Sequence, residues 1–114
     1  MLIELISRGN VPAFVALFDR TSEAVRALLA VDLTNAGQIR QILAASYVEV
    51  WWLAGCHRAP DVGVNGWIAG IARRRAAEGV RVPAEADLGP RPTYAELEIV
   101  ALLRRPLDRL LAAP

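Results

Sequence analysis

Apolar and polar residues follow one another along this chain with the three- and four-residue spacing of helices. The spacing holds over Leu2–Ser7, begins again at Ala13 and returns after each later break, whereas no two-residue alternation persists long enough to indicate a sheet. Gly9-Asn10 ends the first helix, and Pro12 suits the first turn of the second. The pattern predicts an all-α fold: a compact bundle of about four helices, with one more helix after a proline-rich linker.

The second helix leaves one question open at its middle. Thr21-Ser22-Glu23 could bend a single long helix or cap the start of a new one, and the sequence favours neither. A turn follows over Asp32–Gly37, in which Thr34 or Asn35 can cap the third helix.

The third predicted helix, from about Ala36 to Ala54, is apolar on two opposite faces. The face expected in the core consists of Ile39, Ile42, Leu43, Tyr47, Val50 and Leu53. The opposite face consists of Gln41, Ala44, Ala45, Val48 and Trp52. Arg40 and Glu49 remain as isolated charges on the flanks. Since a helix that is apolar all round is normally buried on both sides, we expect another element of this chain, or a partner, to cover the second face.

Two stretches rich in turn-forming residues divide the second half of the chain. Gly55–Gly66 is a loop in which Asn65 is the expected N-cap of the fourth helix, and Val82–Thr93, with three of the seven prolines, is an extended linker. Tyr94–Leu103 and Pro106–Ala112 are helical by pattern. We therefore expect a helical domain over residues 1–81, a linker over 82–93 and a C-terminal helical segment over 94–114.

The fourth helix carries an apolar stripe and a cluster of arginines. The stripe consists of Trp67, Ile68, Ile71, Ala72, Ala76 and Val80. Arg73, Arg74 and Arg81 project away from it, while Arg75 falls nearer to the stripe and must pair with a carboxylate or extend its charged end to water. Arginines along one face suit phosphate contacts, and Trp67 and His57 add flat groups on which unpaired bases could stack. The fourth helix therefore suggests a nucleic-acid surface.

Composition narrows the class of protein. The 114 residues suit one domain, and the net charge of +1 provides no global attraction for polyanions, although all thirteen basic residues are arginine. No apolar run reaches the roughly 18 to 20 residues that span a bilayer, and acidic Glu4 stands where a signal peptide would be basic. We expect a soluble cytoplasmic protein without membrane contact.

The sequence provides few groups for catalysis or cofactor binding. Cys56 and His57 are neighbours in sequence, which does not supply a nucleophile with a distant base. Asp19 and Glu23 stand beside Arg20 and Arg26 and are interpreted as solvated ion pairs. A metal site built from Cys56, His57 and Asp61 would lack a fourth ligand, and a plain loop is the preferred interpretation. We expect no enzyme, no metal and no cofactor, and a helical enzyme or ligand-binding bundle is only a residual alternative.

Three motifs in order resemble a known family. They are FVALFDRTSEAVRALL, SYVEVWW and GWIAGIARRRAAEGVR. Together they resemble region 2 of the extracytoplasmic-function (ECF) branch of the sigma-70 transcription initiation factors, where phrases like AFxxLYDRT, AEDVVQExFLxVW and WLLTIARRRAIDRLR follow one another. The spacings from Asp19 to Trp51 and from Trp51 to Trp67 fit without gaps. The resemblance covers about residues 2–81.

The resemblance implies a compact region 2-like helical bundle with two partners. Region 2 binds the clamp helices of the RNA polymerase core and opens the minus-ten element of promoter DNA, catching flipped non-template bases in the loop before the third conserved helix. Carried over to this chain, the loop is Cys56–Gly66, with His57 where the family often has Phe. The DNA-binding residues so implied are His57, Asn65, Trp67, Arg73, Arg74 and Arg81.

The chain also departs from the family pattern. Where the family has EDxxQE in the second conserved helix, this chain has Arg40, Gln41, Ala44 and Ala45, so the polar groups that ordinarily grip polymerase are replaced. Glu78-Gly79 stands where the family has Asp-Arg. The C-terminal segment resembles at most the helix leading into region 4, so we expect a truncated or naturally short protein without that DNA-binding region.

Two hypotheses of function follow. In the first, the protein is a sigma factor that binds RNA polymerase core and promoter DNA. In the second, a sigma-like protein has lost polymerase binding and uses one surface to dimerise or to bind a regulator such as an anti-sigma factor. That surface is the apolar face of Ala44, Ala45, Val48 and Trp52. With Arg40 and Gln41 added, these residues form the predicted partner interface, called the partner face below. The C-terminal helix could instead fold back over this face and make the domain self-contained.

Overall fold

A computed structural model describes residues 2–54, 63–81 and 93–105 of the chain. Within those ranges there are five helices and no strand: α1 (Leu2–Ser7), α2 (Val11–Ala30), α3 (Ala36–Leu53), α4 (Val64–Arg81) and α5 (Tyr94–Leu103). The all-α prediction is confirmed, and the first and last of these helices have the predicted bounds. The second C-terminal helix, predicted at Pro106–Ala112, lies outside the described residues.

Three of the helices begin at side chains that accept hydrogen bonds from the first helical turn. The Asn10 side chain accepts from the Ala13 amide at 2.9 Å, with Pro12 in the first turn as predicted, and Asn35 accepts from the Gln38 amide at 3.0 Å. Thr93 caps α5. The prediction that Asn65 caps α4 is wrong, because α4 begins at Val64 and Asn65 lies within its first turn.

The polar residues at the middle of α2 do not start a new helix. The Thr21 hydroxyl donates to the Leu17 carbonyl at 2.8 Å, within the same helix. Its oxygen also lies 2.5 Å from the hydroxyl of Tyr47, which is fully buried. Since the Thr21 hydrogen is directed at Leu17, Tyr47 donates to Thr21. The polar group is therefore satisfied inside the bundle, and α2 runs unbroken from Val11 to Ala30.

Helix α3 lies at the centre of the bundle and packs against all four other helices. The predicted core face of α3 is buried at Ile39, Ile42, Leu43, Tyr47 and Val50. The prediction is wrong at the last position, because 40% of Leu53 is exposed near the end of the helix. Phe14 and Phe18 of α2 meet Tyr47 edge-on, with ring centroids 6.4 and 4.8 Å from that of Tyr47, so aromatic packing joins α2 to α3.

Helix α5 belongs to the same core as the helices before it. Its apolar residues Ile99 and Leu103 are buried in the shared cluster, and α5 packs against both α2 and α3. Ion pairs join both its ends to the bundle: Glu96 binds Arg40 of α3, and Arg105, just beyond the helix, binds Asp19 of α2. The interpretation of Asp19 as a solvated partner of its sequence neighbours is therefore wrong. The C-terminal helix folds back onto the bundle.

Candidate nucleic-acid and partner surfaces

The arginine run of α4 lies at the surface, but its three members differ in what they contact. Arg73 is exposed and has no ion-pair partner among the described residues. Arg75 donates through Nε and Nη2 to the Glu49 Oε1 at 3.1 and 2.7 Å, and the Arg74 Nη2 donates to the Glu49 Oε2. Of the two alternatives for Arg75, pairing with a carboxylate or extending its charged end to water, the structure shows the pairing. Arg73 is left as the unengaged cation of the run.

Glu49 is not the isolated flank charge that the sequence suggests. Its side chain is only 12% exposed, and both of its oxygens accept hydrogen bonds from α4. Burial raises the pKa of the Glu49 carboxyl, but the hydrogen bonds and charges of Arg74 and Arg75 outweigh burial and hold this pKa below its usual value. The carboxylate therefore stays charged and joins α3 to α4.

A groove of about 330 Å³ lies between α2 and the first turns of α4. Its lining residues are Arg20, Thr21, Ala24, Val25, Leu28, Asn65, Gly66, Ile68 and Ala69. The walls are mostly small and apolar, while Arg20 and Asn65 add polar groups at the surface. The first-turn amides of α4 carry the positive end of the helix dipole. The groove can hold a flat apolar group that is attached to an anion.

The predicted base-contacting residues are only partly assembled around this groove. Asn65, one of the residues predicted to bind DNA, lines the groove. Trp67 is half-buried and packs against the core, so its ring is not a free stacking surface. Helix α4 extends to Arg81, but the Arg81 side chain and all of His57 lie outside the described residues. Arg20 is a groove residue that the sequence interpretation missed.

The partner face on α3 is smaller than predicted because α5 covers part of it. Arg40 donates through Nε to the Glu96 Oε2 of α5 at 2.6 Å. Ala44, one turn further along α3, is 1% exposed, so its place on an exposed partner face is a wrong prediction. Gln41, Ala45 and Val48 are half-buried, and Trp52 is 68% exposed. The accessible part of the face therefore centres on Trp52.

Two other sequence expectations concern metals and membranes. Over residues 2–54, 63–81 and 93–105, no group of three or more His, Cys, Asp or Glu side chains could hold a metal ion. The trio considered from the sequence, Cys56, His57 and Asp61, lies outside these ranges. In the same part of the chain, no helix combines the length and the hydrophobicity that crossing a bilayer would require.

The sequence interpretation missed the residues whose partners are distant in the chain. Glu49 and Arg75 are 26 residues apart, and Arg40 and Glu96 are 56 apart. A signal for the first pair was present, because Arg75 lies close to the apolar stripe and needs either a carboxylate or access to water. Glu96 carries a different signal: it stands three residues after Thr93, which is the spacing of a capping box. Neither signal identifies the residue of the other helix that completes the ion pair.

Comparison with known proteins identifies relatives of about 70% of this chain. No family model matches the chain, and no solved structure matches it. The chain is 34% identical over 80 residues to the ECF RNA polymerase sigma factor SigK of Mycobacterium ulcerans (strain Agy99), over 70% of this chain and 43% of the relative. It is 30% identical over 81 residues to the SigK of Mycobacterium sp. (strain KMS), over 71% of this chain and 42% of that relative. The chain spans less than half the length of these curated relatives.

Proposed function

Because the matching part of this chain belongs to the ECF family of RNA polymerase sigma factors, we propose that the domain acts in transcription initiation, binding promoter DNA and the RNA polymerase core. The observation that carries the proposal is the groove beside Asn65 and Gly66 on the helix that bears the arginine run. This function would place the protein in the cytoplasm, and it needs no catalytic group and no cofactor.

The DNA step of the proposal uses α4 and its junction with α2. An unstacked base of the minus-ten element enters the groove, where Asn65 can hydrogen-bond to its edge and the apolar walls contact its ring. Phosphates on either side of the base meet Arg20 at the groove and Arg73 two turns further along α4. The arginines would fix the position of the DNA backbone, and the groove would select the base. This division between phosphate and base contacts is usual for protein–DNA complexes.

The polymerase step uses the part of α3 that α5 leaves accessible. Trp52 is exposed at the C-terminal end of α3, and Gln41, Ala45 and Val48 are partly accessible on the same helix. The acidic residues with which the family pattern contacts polymerase are replaced in this chain. An apolar contact centred on the Trp52 indole takes their place. Aromatic side chains of this kind often dominate the binding energy of protein interfaces.

The groove is tested with a single-stranded minus-ten oligonucleotide. Ala24→Phe should fill the groove and weaken binding at least tenfold. Ala30→Phe, an equal addition to an exposed position at the end of the same helix outside the groove, should leave binding within about twofold of the wild type. Equal affinities for the two variants, or binding that does not fall as salt rises, would contradict the DNA step.

The polymerase step is tested by co-purification with core RNA polymerase. The wild-type chain should be retained by immobilised core enzyme at micromolar concentration, and Trp52→Glu should abolish retention. A wild-type chain that never co-purifies would contradict this step while leaving the DNA step standing.

Exposed Trp52 also supports a second candidate function, that of a sigma-like protein which dimerises or binds a regulator such as an anti-sigma factor. A large exposed aromatic residue is a common mark of a protein interface. Light scattering separates the two candidates: a dimer of the wild type that Trp52→Glu converts to a monomer, together with no retention on core polymerase, favours the second.

A further inference from the structure

One carboxylate on α3 holds two neighbouring arginines of α4 through different oxygens. The Glu49 Oε1 accepts both hydrogen bonds from Arg75, and the Oε2 accepts from Arg74. Adjacent guanidinium groups repel each other, and a shared carboxylate between them offsets that repulsion. The pair of arginines thus presents one net positive charge toward solvent instead of two.

The two arginines are not held equally. Arg75 uses two nitrogens on Glu49 and its side chain is 34% exposed, whereas Arg74 uses one nitrogen and is 57% exposed. An ion pair that has one hydrogen bond and an exposed guanidinium contributes little net stability. A phosphate can therefore replace Glu49 as the partner of Arg74 while Arg75 stays in place.

We propose that Glu49 tunes nucleic-acid binding by this domain: it fixes Arg75 against the bundle and occupies Arg74 with a carboxylate that a DNA phosphate must displace. The inference rests on the proposed DNA-binding function and adds a residue of α3 that does not itself touch the nucleic acid. Glu49 acts as an internal substitute for a phosphate on Arg74, so it lowers the affinity for single strands and makes binding less dependent on salt.

The test compares two variants with the same change in net charge. Glu49→Gln releases Arg74 and keeps an amide oxygen that can still accept from Arg75. Glu78→Gln changes the charge of an exposed side chain on α4 that has no ion pair among the described residues. Binding of a fluorescent single-stranded minus-ten oligonucleotide is measured from 50 to 200 mM NaCl, and thermal unfolding of each variant confirms that it is folded.

Glu49→Gln should bind more tightly than the wild type. Its log affinity should also fall more steeply with log salt, by about 0.7 in slope, which is the value for one more phosphate contact on a single strand. Its advantage should shrink about threefold between 50 and 200 mM salt, as that slope requires. Glu78→Gln should leave the slope unchanged. Arg74→Gln should then cost more affinity in the Glu49→Gln background than in the wild type, which a purely structural role of Glu49 would not produce.

Three other outcomes contradict the inference. Equal slopes for the two variants would reduce the effect to net charge, and weaker binding by a folded Glu49→Gln would show that Glu49 assists binding. Either result overturns the role of Glu49 and leaves the proposed function intact. Absence of binding by the wild type and by every variant at 50 mM salt overturns the inference together with the DNA step of the proposed function.

Discussion

The Arg40 guanidinium and the Glu96 carboxylate are joined by a 2.6 Å hydrogen bond that links α3 to α5. The Glu96 side chain is completely buried, and it also accepts from the backbone amide and the hydroxyl of Thr93, at 3.0 and 3.1 Å. A buried carboxylate is tolerated only with such a full set of donors. Arg40, which replaces an acidic residue of the family pattern, therefore has a structural partner inside this chain.

Arg40→Ala should destabilise the domain by about 2 to 3 kcal/mol, somewhat below the usual cost of breaking a fully buried pair because a third of the Arg40 side chain is exposed. The loss arises because the Glu96 carboxylate stays buried with only Thr93 as a donor. Urea unfolding measures the change. Glu98→Ala, on the same helix and without an ion pair among the described residues, is the matched control and should cost less than about 1 kcal/mol. Similar losses for both variants would show that the ion pair is unimportant.

The Asp19–Arg105 pair should make stability depend on acid pH. Hydrogen bonding from Arg105 lowers the pKa of Asp19 below its ordinary value of 3.8, against a smaller opposing effect of burial and with help from the Arg105 charge. A lowered pKa stabilises the fold above pH 3.8, and this contribution disappears as the pH falls through the folded-state pKa. Both side chains are substantially exposed, so the contribution is small, about 0.5 to 1 kcal/mol.

The check is a comparison of the wild type with Asp19→Asn by urea unfolding at several pH values. The difference in unfolding free energy should be constant from pH 5 to 7 and should vanish toward pH 2. A difference that persists unchanged at pH 2 would mean that the side chain acts by packing and not by charge.

Tyr47 should make stability depend on alkaline pH in the opposite direction. Burial raises the pKa of the Tyr47 hydroxyl to about 12, although a hydrogen bond donated by Thr21 to the ionised oxygen acts against the shift. A raised pKa means that the neutral hydroxyl stabilises the fold below pH 10, the ordinary value, and that this contribution is lost as the pH rises from 10 toward 12. This difference between the unfolded and folded pKa of Tyr47 corresponds to about 2 to 3 kcal/mol of unfolding free energy.

Tyr47→Phe should lose about 1 kcal/mol at pH 7 for the missing hydrogen bond to Thr21. The stability of this variant should then fall less than that of the wild type as the pH rises from 10 to 12. Thermal unfolding monitored by circular dichroism measures both. Parallel losses in both proteins would assign the alkaline transition to other groups.

Trp52→Glu should leave the fold intact. Because 68% of Trp52 is exposed, the substitution should change the free energy of unfolding by less than about 1 kcal/mol. Trp51, its neighbour, packs edge-on against Phe14 at 5.3 Å, so Trp51→Glu should instead destabilise the domain by several kcal/mol. Chemical denaturation followed by tryptophan fluorescence distinguishes the two, and a severe loss for Trp52→Glu would show that the indole serves the core.

The local features of the fold were predictable, and their reasons are local. The caps at Asn35 and the first-turn Pro12 act within four residues, and the buried face of α3 follows from helical spacing alone. The role of Thr21 at the middle of α2 could not be predicted from local sequence, because its hydroxyl also hydrogen-bonds with Tyr47 of another helix. Helical spacing also predicts Leu53 in the core, but Leu53 is the last residue of α3, where no other helix need cover the side chain.

The candidate site was predictable only where one helix supplies it. The exposed arginine run of α4 follows from the positions of Arg73 to Arg75. Which of these arginines face solvent and which bind Glu49 depends on how α3 and α4 cross. The groove depends on how closely α2 approaches α4. Small residues such as Ala24 and Ala69 permit that approach without indicating it, since small residues are common on any helix.

The ion pair between Asp19 and Arg105 joins residues that are 86 positions apart. Ile6 of α1 and Ile99 of α5 also share one core. During synthesis, therefore, the earlier helices leave the ribosome with the site for α5 still open and its apolar lining in contact with water. Closure of the core waits for residue 105 to emerge, and until then the nascent domain offers α3 to chaperones and to other chains.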